Sequence, residues 1–173
     1  MRHVVVALLF AILFCGLASA QTSAYGFWGP GKMLGGGNSA FDIDFGGGAK
    51  YVDKSGFGVG AELSAAGPQN NFSNADFGLL ALNGYYDIKP EHKLVPYLTG
   101  GYARSFGHEL GSSPSIVNYG NIAGGENFGS IGGGFNYWFS KKFGVLGEFR
   151  DYLHHHAGVT GQIWMVKMGV SFR

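Results

Sequence analysis

From Gln162 to Arg173 the side chains alternate between two kinds. Trp164, Val166, Met168, Val170 and Phe172 share one apolar face, while Met165, Lys167, Gly169 and Ser171 take the other, which is mostly small or polar. A period of two puts each set on its own face of an extended strand, whereas a helix would mix them. The same pattern recurs along the chain. Phe41, Ile43, Phe45 and Tyr51 oppose Asp42, Asp44, Gly46, Gly48 and Lys50. Phe57, Val59, Ala61 and Leu63 oppose Gly58, Gly60, Glu62 and Ser64, and Ile131, Phe135, Tyr137 and Phe139 oppose Ser130, Gly132, Gly134 and Asn136. Phe143, Val145 and Phe149 oppose Gly144, Leu146 and Glu148. The runs 76–88 and 94–105 predict strands of similar length, and an eighth covers 23–34, interrupted by Gly29-Pro30-Gly31.

The connections alternate in length. Residues 53–56, 89–93 and 140–142 are tight and polar; 68–75, 108–127 and 154–161 predict longer loops. Short turns on one rim and long loops on the other suit a membrane barrel. Tyr51, Phe57, Tyr85, Tyr86, Tyr97, Tyr137, Trp138, Phe139 and Phe143 all fall near the short turns, which predicts an aromatic girdle there. No segment after residue 20 has the roughly 18 consecutive apolar residues of a spanning helix.

Residues 1–20 read as a cleaved secretory signal peptide. Arg2 and His3 precede the apolar run 4–14, and Ala18-Ser19-Ala20 forms an A-x-A cleavage sequence before Gln21. The single cysteine, Cys15, lies inside this segment, so residues 21–173 hold no thiol. Loss of Arg2 takes the basic count from 12 to 11, against 11 acidic residues, which leaves no electrostatic case for nucleic acid.

With the signal, the eight alternating strands, the stretches Leu94-Val95-Pro96-Tyr97-Leu98-Thr99-Gly100-Gly101-Tyr102 and Leu146-Gly147-Glu148-Phe149-Arg150-Asp151-Tyr152, and the last strand ending near Phe172, the chain resembles the bacterial outer-membrane β-barrel domain family, which includes OmpA-like and OmpX-like barrels. The resemblance covers residues 21–173. It implies an all-β, eight-stranded antiparallel up-and-down transmembrane β-barrel in the outer membrane. Such barrels usually end on the aromatic itself, whereas Arg173 follows Phe172 here.

If the apolar faces meet lipid, the lumen receives Asp42, Asp44, Lys50, Glu62, Glu148, Arg150 and Lys167. Buried charges are costly unless paired. The expectation is a network in which Glu62 and Glu148 meet Arg150 and Lys167 and plug the lumen, with Gly46, Gly48, Gly58, Gly60, Gly132 and Gly134 leaving room for the long side chains. Two alternatives stand beside this structural or surface-interaction role. One is a small pore. The other is a soluble, lipocalin-like barrel with its apolar faces turned inward.

Chemistry has less to stand on. Gly26 to Lys32 spaces like a phosphate-binding loop, but Met33 replaces the required hydroxyl. His154 and His156 are weak metal candidates, since alternate residues share a strand face; a solvated rim loop is the plainer reading of His154-His155-His156. His108, Glu109, Ser112, Ser113 and Ser115 show no spacing that demands a catalytic site. The expectation is no enzyme, no metal and no cofactor. The expected partners are outer-membrane lipid and an extracellular molecule met through loop 108–127, with the chain a monomer.

Overall fold

The computed structural model describes residues 21–35, 38–68, 77–106, 125–156 and 159–173. The signal segment, most of loop 108–127 with its His, Glu and Ser residues, and most of loop 68–75 lie outside the described residues.

Eight strands follow in order: β1 (Gln21–Gly35), β2 (Asn38–Val52), β3 (Phe57–Pro68), β4 (Phe77–Asp87), β5 (Leu94–Phe106), β6 (Asn127–Trp138), β7 (Phe143–His156) and β8 (Val159–Phe172). Each pairs antiparallel with the next, and β8 returns to β1 with Ala24 opposite Phe172 and Gly35 opposite Gly161, so the barrel is closed. Closure leaves no edge whose backbone groups would go unsatisfied in lipid, where each costs several kcal/mol.

Pro30 does not break β1. Its pairing with β2 is continuous, with Pro30 opposite Ile43, whereas the ladder to β8 is interrupted at Gly29 and Pro30. The missing N–H is therefore lost on the β8 side alone. Gly29 belongs there for a separate reason: a Cβ at this position would fall 1.7 Å from the Val166 carbonyl oxygen. The phosphate-loop-like stretch Gly26 to Lys32 is thus strand throughout.

The histidine region corrects an expectation. Residues 154–161 were expected as a long loop, yet β7 and β8 pair up to His154 opposite Gly161 and His156 opposite Val159. The pairing absorbs the segment because continued ladder bonds satisfy the backbone that a loop would leave to water.

Alternation places the apolar faces outside. Phe41, Phe57, Leu82, Leu98 and Ile131 are each at least 61% exposed, and the even-numbered residues of β2, β3, β6 and β7 point inward. An interior only wide enough for side chains then takes the polar set. The aromatic girdle is smaller than expected. Phe57, Tyr86, Tyr137, Phe139, Phe143 and also Phe172 face outward near the short turns, but Tyr85, Tyr97 and Trp138 are buried in the lumen. Strand parity separates them: Tyr85 and Tyr86 are neighbours in sequence and so point to opposite faces.

The short turns carry their own hydrogen bonds. Asp53 accepts at its carboxylate from the Ser55 amide (2.8 Å) and the Phe57 amide (3.1 Å), and Gly56 closes the turn at φ 93°. Ser140 Oγ accepts from the amides of Lys142 (3.2 Å) and Phe143 (2.9 Å).

A candidate lumen network

The middle of the lumen holds long polar side chains from six strands, while β2 and β6 contribute glycines at the same level. A Cβ at Gly48 would lie 2.7 Å from the Tyr25 hydroxyl, and one at Gly134 would lie 3.0 Å from the Tyr97 hydroxyl. At Gly132 it would lie 3.2 Å from Arg150 Cδ. The two glycine strands therefore make the space that the other strands fill.

Lys167 from β8 donates to Glu62 Oε1 of β3 at 2.5 Å and lies 3.5 Å from Glu148 Oε1 of β7. Arg150 donates to that same Glu148 oxygen through Nε at 2.8 Å, with Nη2 at 2.7 Å. Glu148 Oε2 accepts from the Tyr97 hydroxyl at 2.8 Å. Glu62 accepts from Tyr25 at 3.1 Å and from Tyr152 at 3.2 Å, and the Tyr25 and Tyr85 hydroxyls are 3.0 Å apart. Arg150 and Lys167 are at most 1% exposed and Glu62 is 2%. Two carboxylates and two cations, ringed by four tyrosines, thus form one connected cluster across the lumen. Lys167 Nζ also sits 4.5 Å from the centre of the Phe27 ring, a further favourable contact for a desolvated cation.

The other lumen charges lie apart from this cluster. Lys50 forms two 2.8 Å bonds to the carboxylate of Asp87, close to the short turns, and stands over the Tyr97 ring at 4.5 Å. Asp87 is a lumen residue beyond those expected from the alternating runs. Its parity with Asn83 and Tyr85, against Leu80, Leu82 and Tyr86, is the signal that finds it. Asp42 and Asp44 are buried toward the long-loop rim, and Asp44 makes no ion pair among the described residues. Beside them an apolar layer crosses the lumen: Ala66, Leu79, Phe128, Ile163 and Met165 pack together, with Met33 against them. Parity places Met165 on the face of Lys167, but the rest of the layer comes together only through the register of the strands.

His154 is not a solvated rim residue. It is 4% exposed, with Nδ1 3.0 Å from the Asn127 carbonyl oxygen, Nε2 3.4 Å from Glu126 and its ring 5.2 Å from that of Phe128. The alternation of short and long connections predicts a loop here, but the strand continues and inward parity in β7 buries His154. The side chain of His156 lies outside the described residues. Among the described residues no three His, Cys, Asp or Glu side chains converge on a metal position.

No known protein family and no curated relative matches the sequence. Solved structures do match in fold. The crystal structure of neisserial surface protein A aligns with TM-score 0.68 at 14% identity, over 89% of this chain and 98% of that one. The N-terminal β-barrel domain of Pseudomonas aeruginosa OprF aligns with TM-score 0.59 at 17% identity, over 89% and 98%. A de novo designed transmembrane β-barrel aligns with TM-score 0.50 at 15% identity, over 87% and 93%. This chain is a closed eight-stranded antiparallel β-barrel, the fold these structures share. At these identities the likeness concerns the fold alone.

Proposed function

We propose that the barrel resides in the outer membrane of a bacterium after removal of residues 1–20. There it serves a structural or surface-interaction role, with a lumen plugged by its own side chains. One observation carries the reading: the apolar faces point outward, while the cations and carboxylates of the mid-lumen are spent on one another. An apolar exterior belongs in hydrocarbon, whereas a lipocalin-like protein needs its apolar faces inside. The cluster around Glu62, Glu148, Arg150 and Lys167, the Lys50–Asp87 pair and the apolar layer with Asp42 and Asp44 each narrow the passage at a different level.

In this reading the partners are outer-membrane lipid and an extracellular molecule met by loop 108–127, which holds Ile116, Val117, Tyr119 and Ile122 among Ser, Gly and Asn. The barrel acts as a monomer, without a cofactor, a nucleic-acid partner or a catalytic role.

The test has two stages. The envelope fraction is run on a detergent gel, unheated and heated; faster migration of the unheated sample, in outer-membrane fractions, is expected. The purified barrel is then added to planar bilayers, where no conductance steps are expected. Reproducible steps would replace the plug with a pore, and recovery in a soluble fraction without a heat shift would sink the membrane reading.

A further inference from the structure

The short-turn rim is basic, with at least one lysine on each of its three turns. The three turns carry Lys54, Lys89, Lys93, Lys141 and Lys142, all exposed, against only Asp53 and Glu91. Asp53 is already occupied by its own turn, and Glu91 lies 3.6 Å from His92. Each turn is bracketed by outward-facing apolar side chains. Tyr51 and Phe57 flank Lys54; Ile88 and Leu94 flank Lys89 and Lys93; Phe139 and Phe143 flank Lys141 and Lys142. The turns join β2 to β3, β4 to β5 and β6 to β7, so the cations are spread round the circumference. Among the described residues, the outward face toward the opposite rim carries only Lys32 and Arg104 as basic residues, with Asp151 nearby.

We propose that these five lysines form a collar that binds the phosphate groups of anionic phospholipids in the leaflet at the short-turn side. The inference rests on the membrane reading above. The aromatic side chains mark the level where hydrocarbon gives way to headgroups. Lysines a few residues beyond it can lay their stems along that apolar surface and hold the ammonium at phosphate depth. A soluble acidic partner would dock against one side of the rim, whereas lipid surrounds it, and cations on three separate turns match lipid. Lys89 adds a second sign. It holds a left-handed backbone at φ 55°, a conformation that glycine or asparagine adopts more readily, so the turn keeps a lysine against local preference.

Native mass spectrometry of the folded barrel in detergent tests this, with phosphatidylglycerol and phosphatidylcholine of identical chains added in equal amounts. Heat-shifted migration and insertion into phosphatidylcholine vesicles are read first, so that a failure of the membrane reading is seen separately. A single basic residue near an anionic surface is worth about fivefold in affinity. Wild type is therefore expected to retain phosphatidylglycerol at least about fivefold over phosphatidylcholine, with the preference falling as salt shortens the Debye length. The variant K54Q/K89Q/K93Q/K141Q/K142Q is expected to retain both lipids equally while keeping its heat shift. K141Q/K142Q, a milder change, is expected to fall between them. Equal retention by wild type, or an undiminished preference in the folded variants, would overturn the collar.

Discussion

Replacing Lys167 by methionine is the sharpest probe of the lumen. Methionine keeps most of the side chain's volume and removes only the ammonium. That ammonium is 2.5 Å from Glu62 Oε1, where the Coulomb attraction is about 7 kcal/mol at an effective dielectric of about 20. Desolvation of both ions cancels much of that gain. What the variant exposes is the other half of the balance. Glu62 would keep only the hydroxyls of Tyr25 and Tyr152, and Glu148 would keep Arg150 and Tyr97. An uncompensated buried carboxylate typically costs about 3–5 kcal/mol. The loss should appear as a lower urea midpoint for the barrel refolded in phosphatidylcholine vesicles, followed by tryptophan fluorescence and by the heat shift. Glu62→Gln in the Lys167→Met background should recover part of it, with a coupling of about 1–3 kcal/mol. A Lys167→Met midpoint unchanged within about 0.5 kcal/mol, with additive effects in the double variant, would refute the idea that this cluster is mutually stabilising.

Three further outcomes follow from single positions. Gly134→Ala would bring a Cβ within 2.2 Å of the Gly147 carbonyl oxygen and 3.0 Å of the Tyr97 hydroxyl, so a loss of about 1–3 kcal/mol is expected in the same urea titration. Lys89→Gly removes the strain of a left-handed lysine and should raise the midpoint by up to about 1 kcal/mol; a lowered midpoint would contradict it. At the β2–β3 turn, the Ser55 hydroxyl and the turn amides hold the Asp53 carboxyl below its ordinary range. A depressed carboxylate stabilises the turn above its ordinary pKa, and that contribution is lost as pH falls through the folded value. Ser55→Ala should therefore move the Asp53 titration upward, as read by carboxyl NMR shifts, and an unmoved titration would remove the hydroxyl from the account.

Much of this architecture was legible because strand parity is a local property. Once Trp164, Val166, Met168, Val170 and Phe172 share a face, Lys167 must take the other, and the barrel only has to choose which face is inside. Parity also places Glu62, Glu148 and Arg150 on lumen faces without knowledge of their partners. Nearness to a turn is a weaker guide than parity: Tyr85, Tyr97 and Trp138 lie beside turns yet point inward, and Asp87 shares the inward face of Tyr85.

The sequence by itself determined the strand count, the polar and apolar faces, the short turns, and the glycines that leave space within the lumen. These follow from neighbours one or two residues apart. Only the tertiary structure decided which charges meet. Lys167 is 105 residues from Glu62, and Lys50 pairs with Asp87 rather than with the central carboxylates. Such contacts depend on the register of eight strands around a closed ring, and a shift of one residue in any strand would turn its charges to the outer face. The same closure carried β7 and β8 through the histidines and brought His154 under the rim against Phe128. A triplet of polar residues carries no local signal of that burial, because the ladder that imposes it belongs to two strands at once.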